Sequence, residues 1–227
     1  MLPQDLEQRS EAWLEARLGK VTASRVADVM ATTKSGPAAS RANYMAELIC
    51  ERLTGEARER FTNAAMQHGI DQEPQARLAY EFQRDVTVVE TGFVPHPTIG
   101  MFGASPDGLV GDDGLVEIKC PETATHLATL LGAKIERKYE LQMQTQMACT
   151  GRAWCDFISF DPRLPPEVQM HVRRVERDEA TIAAIEQAVT DFIGEMAGKL
   201  STLSVRYKVT PRIEPSLSMP PWLEEAS

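Results

Sequence analysis

Ser105-Pro106-Asp107-Gly108-Leu109-Val110-Gly111-Asp112-Asp113-Gly114-Leu115-Val116-Glu117-Ile118-Lys119 is the stretch whose reading decides the fold. Gly111 to Gly114 reads as a turn between two strands. In the second strand, side-chain alternation puts Val116 and Ile118 on one face and Glu117 and Lys119 on the other. Two charges on one face of a short apolar strand fit a solvated edge; they also fit a site. Asp107 favours the site, because an acid before the turn and Glu-x-Lys after it gather two carboxylates and an ammonium in one small volume. Close like charges repel unless a cation neutralises them. Mg²⁺ suits such oxygen donors and takes one or two carboxylates plus waters and phosphate oxygens. A lysine beside it can orient the attacking water and stabilise developing charge, which is the chemistry of phosphodiester hydrolysis. A plain four-residue turn would set Gly108 opposite Glu117 and leave Asp107 on the wrong face. The expectation is therefore a bulge or bend at Pro106-Asp107-Gly108.

Upstream of this stretch, Ser10 to Arg17 reads as a helix, broken at Gly19, with a second helix opening at Thr22 as N-cap. Residues 33–40 form a loop. Ser40 caps a helix with Tyr44, Leu48, Ile49 and Leu53 on its apolar face, stopped by Gly55. Residues 63–82 read as helical, with Gly69 and Pro74 as sites of a bend. Val86–Val94 and Ile99–Ala104 read as strands, as does Leu115–Cys120. Residues 123–131 and 138–150 return to helix, and Ala153–Phe160 and Val168–Val175 to strand. Glu179–Leu200 is a long amphipathic helix. Four prolines beyond residue 209 predict an irregular tail. The fold class is α/β, a central mixed β-sheet flanked by helices. Residues 1–208 form a single domain and residues 209–227 a Pro-rich tail.

The chain has 227 residues, 43% of them hydrophobic, enough for one sizeable core. No run approaches the ~18 apolar residues a membrane span needs. The N-terminus has no apolar stretch, and a secretory signal is not expected. Cys50, Cys120, Cys149 and Cys155 show no CxxC pair and no zinc spacing, so they are expected as reduced thiols, mostly buried, in a cytoplasm. The net charge of −9 excludes a histone-like coating protein. It does not exclude a DNA enzyme, whose groove is governed by its own lining.

The spacing Pro106-Asp107, nine residues, then Glu117-Ile118-Lys119 resembles the PD-(D/E)xK signature of restriction-endonuclease-like cores. The wider chain sharpens the resemblance. Arg17-Leu18-Gly19-Lys20-Val21-Thr22-Ala23-Ser24, the segment from His68-Gly69 to Glu73, Ser105 to Gly108, Glu117 to Pro121, the glutamines of 142–146 and Phe160-Asp161-Pro162-Arg163 follow one another in the order of the phage lambda exonuclease (YqaJ-like) family. The match runs over roughly residues 10–200.

The resemblance implies a Mg²⁺-dependent, processive 5′→3′ exonuclease on linear double-stranded DNA, releasing 5′-mononucleotides and leaving a 3′ single strand for recombination by annealing. The alternative is a PD-(D/E)xK endonuclease or a RecB-like nuclease. It implies Asp107, Glu117 and the Ile118 carbonyl as metal ligands, completed by Glu73, in a two-metal site where Mn²⁺ can substitute. Lys119 matches the lysine that contacts the nucleophilic water. Gln142 matches a glutamine placed to contact the site or the substrate and shares a helix face with Gln146; Gln144 points elsewhere, as a surface or interface amide. Arg17 and Ser24 match the pocket for the terminal 5′-phosphate, a guanidinium fork beside a hydroxyl. Lys34 replaces an arginine of the lambda enzyme and supplies charge without the fork. Met66 matches an apolar wedge between strands or a core residue, and His68 replaces an aromatic. His96, His126 and His171 have no metal spacing. Trp13 reads as helix packing and Trp222 as an anchor for a partner. The resemblance also implies a homotrimeric ring around 5′-phosphorylated DNA, a single-strand annealing protein as partner, no membrane, and the cytoplasm of a bacterial host with a phage or prophage gene.

Overall fold

The computed structural model describes residues 7–34, 36–57 and 64–213. In chain order come α1 (Glu11–Arg17), β1 (Val21–Thr22), α2 (Val26–Val29), β2 (Thr32–Thr33), β3 (Gly36–Pro37), α3 (Ala39–Thr54), α4 (Ala64–Arg84), β4 (Val88–Val89), β5 (Val94–Pro95), β6 (Phe102–Ala104), β7 (Gly108–Val110) and β8 (Gly114–Lys119). There follow α5 (Thr123–Leu130), α6 (Arg137–Thr150), β9 (Trp154–Phe160), β10 (Met170–Glu176) and α7 (Glu179–Tyr207). Five strands form a mixed sheet in the order β10-β9-β8-β7-β4. Only β8 and β9 run parallel within it, and α5 and α6 make the crossover between them. The α/β class with a mixed sheet flanked by helices is what the structure has.

Alternation along β8 decides what covers each face. Val116 and Ile118 pack with Ala76 and Tyr80 of α4 and with Ile158 and Phe160 of β9. Leu115 packs on the opposite side with Met143 and Met147 of α6 and Phe157 of β9. The sheet is thus a middle layer between α4 and α6. A separate helical core joins α2, α3 and α7 around Tyr44, Leu48, Val189, Phe192, Ile193 and Met196. The apolar face read along 179–200 is this buried stripe, and the helix continues to Tyr207. Residues beyond it fold back on α3: Arg212 and Ile213 donate their N–H groups to the Arg52 carbonyl at 2.9 and 3.1 Å.

Several expectations change. Thr22 stands at the N-cap position of a 3₁₀ turn over Ala23–Arg25 that leads into α2, but without a side-chain cap, and with Val21 it pairs in parallel with Phe102-Gly103. Tertiary pairing overrides the local signal here. Ser40 lies inside α3, whose N-cap position is Ala38, without a side-chain cap. The strand expected over Val86–Val94 splits, because β4 joins the main sheet and β5 the small sheet β1-β6-β5. The helix around Gly69 and Pro74 is one element from Ala64 to Arg84, with Pro74 inside it. Gly55 ends α3 as expected, at φ 70°.

The hairpin register also differs from the expectation. Gly108 faces Val116, Leu109 faces Leu115 and Val110 faces Gly114, so the loop is three residues, Gly111-Asp112-Asp113, with Gly111 at φ 52°. One more step of that register brings Asp107 abreast of Glu117. The bulge expected at 106–108 is not needed, because the shorter loop makes the shift.

Candidate active site

Asp107 follows directly on the register of β7. Its Oδ2 accepts the Ile118 N–H at 2.7 Å, in place of a further rung between the strands. Glu117 is fully buried on the α6 side of the sheet. An isolated carboxylate there would cost several kcal/mol, as much as the roughly 1.5–3 kcal/mol each that Val116 and Ile118 contribute by burial. Glu117 is tolerated because it is partnered. Gln146 Nε2 donates to its Oε2 at 2.6 Å. Lys119 Nζ forms an ion pair with its Oε1. Oε1 is buried, and the Lys119 ammonium is its one partner among the described residues.

The charges are strongly coupled. Burial, then the Glu117 charge, push the Asp107 carboxyl well above the ordinary carboxylate range; Lys119 opposes this and Glu73 adds to it. Burial alone would lower the Lys119 ammonium, but the Glu117 and Asp107 charges outweigh it and raise it. Lys119 is therefore a held cation, 5.3 Å above the Tyr139 ring. Glu73, from α4, is close enough to act on Asp107, yet both its oxygens are engaged: Oε2 accepts from Arg9 Nη2 at 2.7 Å and Oε1 from Arg77 Nη2 at 3.0 Å. Arg9 has a left-handed backbone at φ 74°, and the neighbouring Gln8 amide donates to the carbonyls of Thr91 and Pro106 at 3.0 and 2.7 Å. This N-terminal turn is fastened to the loop that carries Asp107.

Among the described residues no three His, Cys, Asp or Glu side chains form a ready cage for a metal. The donor set still fits Mg²⁺, which needs only one or two carboxylates and completes its shell with water and phosphate. A fully buried Glu117 beside an Asp107 carboxyl that resists ionisation is a crowding of acidic groups that a divalent cation would relieve.

Arg17 lies next door. Its Nη1 donates to Ser105 Oγ at 3.0 Å, and Trp13 Nε1 donates to the same oxygen at 3.0 Å. The guanidinium carbon is 4.0 Å from the Trp13 ring centroid. Trp13, expected as plain packing, thus positions Arg17 and Ser105, two residues from Asp107. Buried Arg52 holds the next loop, its Nε donating to Gly19 O at 2.8 Å. Ser24 is exposed in the 3₁₀ turn with its Oγ 3.4 Å from Thr22 Oγ1; the Thr22 N–H donates to Tyr44 Oη, on which the Arg17 charge acts. Arg17 and Ser24 therefore share one neighbourhood. Lys34 is exposed in the turn between β2 and β3, with no recorded link to the other site residues. Met66 falls in the first turn of α4 and its side chain lies outside the described residues, as does Trp222.

Gln142 is half-buried on α6 without a recorded hydrogen bond, and Gln146, one turn later on the same face, is the glutamine that reaches Glu117. Gln144 is no surface amide: it is buried, donates to Glu176 O at 2.8 Å and accepts the Asp178 N–H at 2.9 Å, tying α6 to the start of α7. Sequence reading did not single out Arg77, although its i,i+4 spacing from Glu73 was a usable signal. Arg9 gave none, since its partner is distant in sequence. His96 is buried on Glu186, and His126 bridges Ser159 and the Val168 carbonyl, so both are structural. The cysteines are free thiols, three of them buried.

Residues 12–153 match the model of the YqaJ-like viral recombinase domain. The chain belongs to that family. LHK-Exo, an alkaline exonuclease from Laribacter hongkongensis, has 56% sequence identity to it, with 88% of this chain and 98% of that chain covered and a TM-score of 0.82; its structure in complex with dAMP matches equally. A phage-related exonuclease from Haemophilus somnus 129PT shares the fold, with a TM-score of 0.63 at 17% identity over 82% of this chain and 96% of that one. No curated protein matched. The family places the mixed sheet among restriction-endonuclease-like cores. None of the described helices is long and apolar enough to cross a membrane.

Proposed function

We propose that this deoxyribonuclease is a Mg²⁺-dependent, processive exonuclease that degrades one strand of linear duplex DNA in the 5′→3′ direction, releasing 5′-mononucleotides and leaving a 3′ single strand for annealing-type recombination. The observation that carries the reading is the juxtaposition of Asp107, the fully buried Glu117 and Lys119, beside Arg17. LHK-Exo is an alkaline exonuclease with a structure bound to a deoxynucleoside monophosphate, the kind of product such a reaction yields.

Asp107, Glu117 and the Ile118 carbonyl would hold Mg²⁺, or Mn²⁺ in its place, with Glu73 available to a second ion once released from Arg9 and Arg77. Bound there, the cation supplies Lewis-acid stabilisation of the phosphate and a more acidic attacking water. Lys119, kept charged by Glu117 and Asp107, donates hydrogen bonds to the attacking water and the phosphoryl oxygen. Arg17 grips the terminal 5′-phosphate with its fork, pre-aimed by Trp13 and Ser105. Ser24 and Lys34 add a hydroxyl and a charge, Gln142 reaches substrate from α6, and Met66 parts the strands. A homotrimeric ring, a single-strand annealing partner and a cytoplasmic setting complete the proposal on family grounds.

The test is a gel assay on linear and covalently closed circular duplex, with and without Mg²⁺ and a 5′-phosphate. Mg²⁺-dependent loss of the linear duplex alone, faster from phosphorylated ends, supports the reading. Cutting of the closed circle would overturn it in favour of an endonuclease.

A further inference from the structure

Among the described residues Gln146 is the one fully buried amide hydrogen-bonded to the catalytic cluster, and the proposed chemistry leaves it without a role. It sits on α6 with no exposed surface. Both ends of its amide are engaged. Nε2 donates to Glu117 Oε2 at 2.6 Å, and Oε1 accepts from Cys155 Sγ at 3.9 Å. The Glu117 carboxylate can only accept, and at 2.6 Å against 3.9 Å for the thiol it is the partner that decides which way the amide points. The nitrogen must then face Glu117.

The two Glu117 oxygens are consequently unequal. Oε2 is committed to the fully buried Gln146, while Oε1 meets only the ammonium of the partly exposed Lys119. We infer that Gln146 is the positioning residue of the metal centre: by holding Oε2 it turns Oε1 toward the cation and fixes the plane of the carboxylate. The inference rests on the proposed function, since it assigns a residue to that same Mg²⁺ site. Ligating carboxylates are oriented by their own hydrogen-bond partners, and loss of such a partner weakens metal affinity by about 10–100-fold. Gln146 touches no reacting atom. It acts through Glu117.

A thiol-anchored amide also sets a size requirement. Asparagine is one methylene too short to span from α6 to Glu117 while keeping the Cys155 contact. Methionine matches the length and has no N–H to donate.

The experiment uses the full chain without DNA. Mn²⁺ is titrated by calorimetry into the wild type, Gln146→Met and Gln146→Asn, and binding of a 5′-phosphorylated duplex is measured in chelator. Both variants are expected to bind Mn²⁺ about 10–100-fold more weakly, to bind duplex in chelator as the wild type does, and to recover hydrolysis as the metal concentration is raised. If only one variant folds, that variant decides the matter. Wild-type Mn²⁺ affinity in a folded variant overturns the inference while leaving the exonuclease reading intact. So does parallel weakening of metal and duplex binding, which marks a merely structural residue. A wild type that binds no metal, yet binds duplex, overturns the function reading and this inference with it.

Discussion

Lys119 and Arg17 do different work at adjacent places, and single substitutions separate them. Lys119 is a partly exposed cation paired with Glu117 and held charged by Asp107 as well, so removing its ammonium strips charge from the reacting centre rather than from the DNA track. Lys119→Ala is expected to reduce hydrolysis to background while duplex binding, measured by fluorescence anisotropy, stays close to wild type; equal loss of both in a folded variant would reject that role. Arg17 is propped by Trp13 and Ser105 at the edge of the site. Arg17→Ala is expected to shrink the rate preference for 5′-phosphoryl over 5′-hydroxyl ends by about tenfold, the weight of a charge-assisted hydrogen bond of about 1.5 kcal/mol. An unchanged ratio of rates would count against a phosphate pocket there. At this scale the sequence was most legible for residues that carry chemistry within one strand: Glu117 and Lys119 share a face because alternation says so. It was least legible for Gln146 and Arg9, whose partners lie 29 and 64 residues away. No local pattern ranks Gln146 above Gln142.

Strands and loops show where pattern reading loses its grip. The six-residue β8 and the seven-residue β9 and β10 were visible from their β-branched and aromatic residues, and the long α7 from its apolar stripe. The two-residue β1 was not, and β4 and the start of β5 were read as one strand, because pairing with distant strands, not local propensity, makes the one and divides the others. Two contacts at the ends of β8 and β9 show what keeps the central pair in place. A Cβ on Gly114 would lie 2.1 Å from the Trp154 ring, which Arg174 covers on the other side at 3.5 Å. With the ring trapped, Gly114→Ala is expected to destabilise by about 1–3 kcal/mol, read from the urea midpoint. At the far end, fully buried Asp161 accepts from Thr123 Oγ1 at 2.6 Å and Arg163 Nε at 2.7 Å, tying β9 to the start of α5. Burial would raise this carboxyl, but the hydrogen bonds from Arg163 and Thr123 prevail and hold it at about 2. A carboxyl lowered on folding adds stability above its unfolded value near ~4, and loses it as pH falls through about 2. Asp161→Asn is therefore expected to lower stability at pH 7 and to flatten the acid-unfolding curve between those two values, followed by circular dichroism. A variant that keeps the wild-type slope would show that the network does not control acid stability.

Across the whole molecule, the site draws on separately folded pieces: Asp107 from the approach to β7, Glu117 from β8, Glu73 from α4 and Gln146 from α6. A cation bound at their meeting point binds the native state alone. Saturating Mg²⁺ at a hundred times its dissociation constant is expected to add about 2.7 kcal/mol and raise the melting temperature in calorimetry, a gain that Glu117→Gln should abolish. An equal gain in that variant would place the metal elsewhere. The acidic net charge, which first looks wrong for a DNA enzyme, is consistent with a concave site whose carboxylates need a cation before they meet phosphate.

The three-residue loop Gly111-Asp112-Asp113 makes the count between Asp107 and Glu117 a matter of parity. With nine residues between them, the two acids come abreast. One residue more or less within the strand between the loop and either acid, with the three-residue loop kept, would slip the pairing, turn Asp107 toward the α4 side and part it from its companion, though every motif letter remained in place. The loop is exposed, and Gly111 aside it can vary in composition. Insertions there leave the strand pairing as it is and should be tolerated, whereas a single insertion within either strand should be fatal. A descendant of this enzyme is free to lengthen that loop, but not to add one residue to the strand segments that flank it.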